Sequence, residues 1–165
     1  MPDLEEAVVF FTRVIGCDLL YRTGVLFDST GGDWMSRHFD APAEARLRTA
    51  MLRCGPTANV ELLEWTIPGA PPVVCHTAIG VAHLAIYVTD LAEAAAHLAA
   101  QPGVRVLGSP TVVTDEPHEG TEFVHLLLPW GLGLELVRWP PLMPYRTMTG
   151  AQLVEPAPRW STVHE

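Results

Sequence analysis

The strongest constraint on this chain is an internal repeat written twice with different spacing. Asp3-Leu4-Glu5-Glu6-Ala7 returns as Asp90-Leu91-Ala92-Glu93-Ala94, and Gly16 returns as Gly103, so Asp, Leu, Glu, Ala and Gly all recur at an offset of 87. Later in each copy, Val60-Glu61-Leu62-Leu63-Glu64-Trp65 is echoed by Leu134-Glu135-Leu136-Val137-Arg138-Trp139 at an offset of 74. A chain that repeats itself folds as two similar units rather than as one irregular body. The offsets differ by 13, so the first copy holds about 13 extra residues. The Gly/Asp-rich stretch 24–42 is their natural place, read as a loop with a short helix.

Local patterns fill in each unit. Asp3 is a plausible N-cap for an amphipathic helix carrying Val8, Val9, Phe10, Phe11, Val14 and Ile15, with Gly16 ending it. Asp90 opens the equivalent helix, which stops at Pro102-Gly103. Strand-like runs follow at Asp18 to Tyr21 and Arg46 to Arg53 in the first unit. In the second they lie at Val104 to Leu107, Thr111 to Thr114 and Glu122 to Leu128. One further strand, Val81 to Val88, precedes the second helix, giving β-α-β-β-β. Seven residues before Asp90 stands His83, and its counterpart would lie seven before Asp3, ahead of the chain. The first unit therefore lacks its opening strand, or the given start lies downstream of the true one. The expected organisation is a first unit over 2–66 with its insertion at 24–42, a Pro-rich linker over 67–78, a second unit over 79–140 and a tail over 141–165. Tyr145, Leu153 and Trp160 are candidates to pin that tail.

Composition limits the partners. Lys+Arg 10 against Asp+Glu 19 gives a net charge of -9, which repels phosphate, so neither nucleic acid nor an anionic membrane is expected. No apolar run approaches the roughly 20 residues of a membrane helix, and the acidic start is unlike a signal peptide, which makes the cytoplasm the expected compartment. Cys17, Cys54 and Cys75 are odd in number and lack C-x-x-C spacing, so they read as three reduced thiols with packing roles.

The helices "DLxEAxxFF", the strand His83-Leu84-Ala85-Ile86-Tyr87-Val88 and the closing Phe123-Val124-His125-Leu126-Leu127-Leu128-Pro129-Trp130-Gly131-Leu132-Gly133-Leu134-Glu135-Leu136 resemble the glyoxalase/bleomycin-resistance/extradiol-dioxygenase family, the vicinal oxygen chelate superfamily. The resemblance spans roughly residues 2 to 140. It implies an α+β fold in which two βαβββ units form a cupped mixed sheet, and one divalent metal (Zn, Ni, Co, Mn or Fe) bound by the first and last strands of each unit. Carried over, those positions fall on His83 and Glu135 in the second unit and on Glu61 in the first. The residues agree with that reading. Strand side chains alternate faces, and a carboxylate inside an apolar strand is costly unless it is paired or bound to a cation. Glu64 and Arg138 alternate to the opposite face and are expected to be solvated.

One imidazole with two carboxylates suits a hard to borderline ion. Such a site favours isomerase, epimerase or lyase chemistry, in which a chelated enediolate follows proton abstraction. A base is then needed: His125 shares a strand face with Thr121, Phe123 and Leu127, and Glu61 is the other candidate. Trp34, Tyr87, Phe123 and Trp130 are candidate substrate walls, with His38 beside Trp34 in the insertion. The competing reading is a metal-free protein that binds or sequesters a drug-like small molecule on the same scaffold. An extradiol-type dioxygenase ranks lower, because two histidines with one carboxylate are not evident. An unpaired edge in the first half-sheet points to a homodimer.

Overall fold

The computed structural model describes residues 3–56, 58–69, 80–150 and 153–154. Cys75 and His76 of the linker, and Trp160 of the tail, lie outside them. The described residues separate into two compact units, one over 3–69 and a second over 80–154.

In the first unit, helix α1 (Leu4–Val9) begins at Asp3, whose side chain accepts a 2.9 Å hydrogen bond from the Glu6 amide. It continues as a π-helical stretch, Phe10–Ile15, and ends at Gly16 with φ 90°, a left-handed position that a residue with a Cβ would adopt only under strain. Strand β1 (Asp18–Arg22) follows, then the insertion with its single short helix α2 (Trp34–Phe39), then β2 (Arg46–Cys54) and β3 (Ala58–Thr66). The three strands form an antiparallel sheet in the order β1-β2-β3. One sheet face carries Ala50, Leu52 and Leu62, buried with Leu4, Ala7, Val8 and Phe11 of the helical segment. The opposite face carries Met51, Glu61, Leu63 and Trp65. Within the insertion Met35 is fully buried with Ala41 and Ala45, and Trp65 and Ile67 pack against them.

The second unit contains β4 (His83–Tyr87), α3 (Leu91–Ala99), β5 (Arg105–Val112), β6 (Glu122–Leu127) and β7 (Gly133–Arg138). Asp90 caps α3 through the Glu93 amide at 2.9 Å, repeating the arrangement at Asp3. The sheet order is β4-β7-β6-β5, with β4 parallel to β7 and the other pairs antiparallel. Helix α3 buries Leu91 and Leu98, and the sheet buries Val124, Leu126, Leu134 and Leu136 on one face. Beyond β7, Tyr145 donates its amide to the Pro117 carbonyl at 2.9 Å, and its hydroxyl accepts from the Leu153 amide at 2.9 Å. Two of the three residues proposed to pin the tail thus meet each other. No helix among the described residues is long and apolar enough to cross a membrane.

Three expectations change. The runs Val104 to Leu107 and Thr111 to Thr114 belong to one strand, β5, interrupted by a register shift between Leu107 and Thr111 where Gly108 has φ 78°. Cys17 and Cys54 are not thiols but a disulfide. They flank the paired residues Asp18 and Arg53, so the register of β1 on β2 brings Cα atoms 37 positions apart in sequence to 4.4 Å. Nor is Glu64 simply solvated. Its side chain is 12% exposed, lies 2.5 Å from Arg48 on the neighbouring strand, and accepts a 3.2 Å hydrogen bond from the Leu4 amide in the first turn of α1. Arg138 is likewise paired with Glu122, directly opposite it across β6 and β7.

The Arg48 hydrogen bond holds the Glu64 carboxyl below its ordinary value, against the opposing effect of burial. A carboxyl lowered in the folded state stabilises the fold above its unfolded pKa, and that contribution is lost as pH falls through the lowered value. Glu64→Gln should therefore reduce the melting temperature at pH 7 by a few degrees and flatten its decline below about pH 4.5, the ordinary Glu value, in thermal melts against pH. Thiol titration of denatured, unreduced protein should find one reactive thiol per chain, rising to three after reduction.

Candidate functional site

The second unit gathers its polar chemistry on the sheet face opposite α3. Register alone arranges that face in three rows across β4, β7 and β6. His83 lies beside Gly133 and Leu127, Ala85 beside Glu135 and His125, and Tyr87 beside Val137 and Phe123. The Glu135 carboxylate sits at the centre. Its Oε2 is 3.3 Å from His83 Nε2, and its Oε1 is 4.0 Å from His125 Nε2. The two imidazoles meet edge to face with centroids 5.4 Å apart. Glu135 is the most enclosed of the three, with a side chain 22% exposed against 50% for His83 and 39% for His125.

A half-open cavity of about 210 Å³ lies alongside, lined by Val81, Ala82, His83, Leu107, His125, Leu126 and Gly133. Apolar rings extend the same face. Phe123 meets His125 at 5.5 Å, and Tyr87 meets Trp139 at 5.5 Å. Trp139 was not among the candidate walls, although the repeat matches it to Trp65 and so gave a signal for it. Trp130 is 9% exposed and belongs to the buried apolar set of this unit, in the turn between β6 and β7.

Glu61 lies in the first unit, exposed on the β3 face that also carries Leu63 and Trp65. That face ends in a chain of rings: Trp65 meets Phe39 at 5.4 Å, Phe39 meets Trp34 at 5.6 Å, and Trp34 meets His38 at 4.7 Å. Trp34 and His38 thus sit on the insertion, which the first unit holds against Trp65.

The donor set bears on the metal. Two ligands bonded to one ion at about 2.0–2.2 Å stand roughly 3 Å apart, and His83 Nε2 and Glu135 Oε2 fit that spacing. Among the described residues no group of three or more His, Cys, Asp or Glu side chains is arranged to hold an ion. The fit is therefore that of a donor pair, with the His125 ring within reach of the second carboxylate oxygen.

The model of the Glyoxalase/Bleomycin resistance protein/Dioxygenase superfamily matches residues 1–136. The chain belongs to this superfamily. Within it, the chain is 44% identical over 162 residues to a 2-epi-5-epi-valiolone epimerase of Actinomyces sp., covering 98% of this chain and 87% of that protein. Among solved structures, a glyoxalase family protein from Bacillus cereus shares the fold with a TM-score of 0.60 at 20% identity, covering 84% of this chain and 88% of that one. Another from Enterococcus faecalis gives 0.54 at 20% identity, covering 82% and 89%. The glyoxalase-like βαβββ order is present in the second unit as β4-α3-β5-β6-β7, and the first unit repeats its α-β-β-β part.

Proposed function

We propose that this chain epimerises 2-epi-5-epi-valiolone or a closely similar small hydroxylated ketone. The observation that carries the reading is the 44% identity to an epimerase along nearly the whole chain. It is supported by an acid–base cluster beside a cavity of small-molecule size.

Inverting a stereocentre next to a carbonyl requires removal of the proton on that carbon and its return to the other face. In this reading His125 Nε2 takes the proton, because its ring lines the cavity and Glu135 stands 4.0 Å away to balance the charge the ring gains. His83 and Glu135 would hold a divalent cation, which when bound supplies Lewis-acid polarisation of the substrate carbonyl. Ala85 presents little bulk in the row of Glu135 and His125, and Tyr87 and Phe123 border the next row with rings.

The test is to incubate the full-length protein, loaded in turn with Zn²⁺, Ni²⁺, Co²⁺, Mn²⁺ and Fe²⁺, with 2-epi-5-epi-valiolone in D₂O. The expected result is a C-epimer carrying deuterium at the inverted centre. His125→Asn should slow the exchange by about 10²–10⁴-fold, and Glu135→Gln should lower both bound cation and turnover. Absence of exchange with every ion would reject the epimerase reading.

A further inference from the structure

His83 and His125 stand on β4 and β6, which are separated by β7 and offset by one row. With strands about 4.8 Å apart and about 6.6 Å between alternate residues, their Cα atoms are roughly 12 Å apart. Their rings are nonetheless 5.4 Å apart, so both side chains lean inward over β7. Level with His83 on β7 is Gly133.

Gly133 is unlike the turn glycines of this chain. Its φ lies outside the left-handed region, so the backbone there would accept other residues. The obstacle is space: a Cβ on Gly133 would stand 3.1 Å from the His83 Cβ and 3.8 Å from its Cα. The same residue lines the cavity with His83 and His125. A side chain at this point would press on the root of His83 and shift it away from β7, carrying its imidazole with it.

We propose that Gly133 is a positioning residue, whose missing side chain lets the root of His83 approach β7 closely enough for its imidazole to meet Glu135 and His125. The inference deepens the proposed function, since it rests on His83 and Glu135 being the working pair. It concerns geometry that can be measured without substrate or metal.

The experiment compares the full-length protein with Gly133→Ala, using ring-proton NOEs between His83 and His125 as the direct readout. The wild type should show these NOEs, and Gly133→Ala should lose them while the amide shifts of β6 stay in place. Their persistence in the variant would overturn the proposal. In turnover of 2-epi-5-epi-valiolone, kcat should fall about tenfold, the low end for residues that orient a ligand, with KM changed less than twofold. The same substitution in a His83→Gly background should cost no further activity. A lost NOE with unchanged kcat would reject the positioning role. If the wild type shows no turnover, the epimerase reading fails while the NOE comparison still decides the geometry. Should Gly133→Ala fail to fold, His83→Gly with Gly133→Ala removes the opposing Cβ. Recovered folding then supports the steric coupling, and continued failure rejects it.

Discussion

Strand β7 and its two neighbours of opposite sense carry the chemistry of the second unit. Parallel pairing with β4 and antiparallel pairing with β6 place Gly133, Glu135 and Val137 in a central column between His83, Ala85 and Tyr87 on one side and Leu127, His125 and Phe123 on the other. A slip of one residue in either pairing would turn a histidine to the buried side. Apolar residues on the other face resist such a slip, because Leu134, Leu136, Val124 and Leu126 would lose their burial beneath α3. The packing of one face thus holds the chemistry of the other.

Charge is distributed with the same economy. Both of the last strands, or their neighbours, use a cross-strand ion pair on the helix side of the sheet, Arg48 with Glu64 in the first unit and Glu122 with Arg138 in the second. Glu64 also satisfies an amide that α1 leaves unbonded in its first turn, tying the helix to the sheet. These carboxylates have fixed guanidinium partners. Glu135, on the opposite face, has imidazoles instead. That contrast separates the carboxylates of the helix side from the one on the other face of the sheet.

Much of this could be read from the residues. Asp3 and Asp90 are the caps that the repeat suggested, Gly16 ends the first helical segment, and His83 and Glu135 lie on neighbouring strands of one sheet. Strand order made the rest illegible. The proximity of His125 to Glu135 depends on β6 pairing with β7 and on the leaning of rings across it. The Cys17–Cys54 bond depends on the register of β1 with β2, which an odd cysteine count without short spacing conceals. Glu64 looked solvated because alternation reports the face of a side chain but not what covers that face.

By itself the sequence determined the two-unit plan, the helix boundaries and the residue types offered at the ends of the strands. These follow from local rules of period, capping and repetition. Tertiary structure alone decided that Glu135 stands between two imidazoles, that Glu64 holds a helix terminus, and that Gly133 lies against the root of His83. Each of these is a contact between strands or between a strand and a helix, and the distances across a sheet are set by register and packing, which no local stretch of sequence contains.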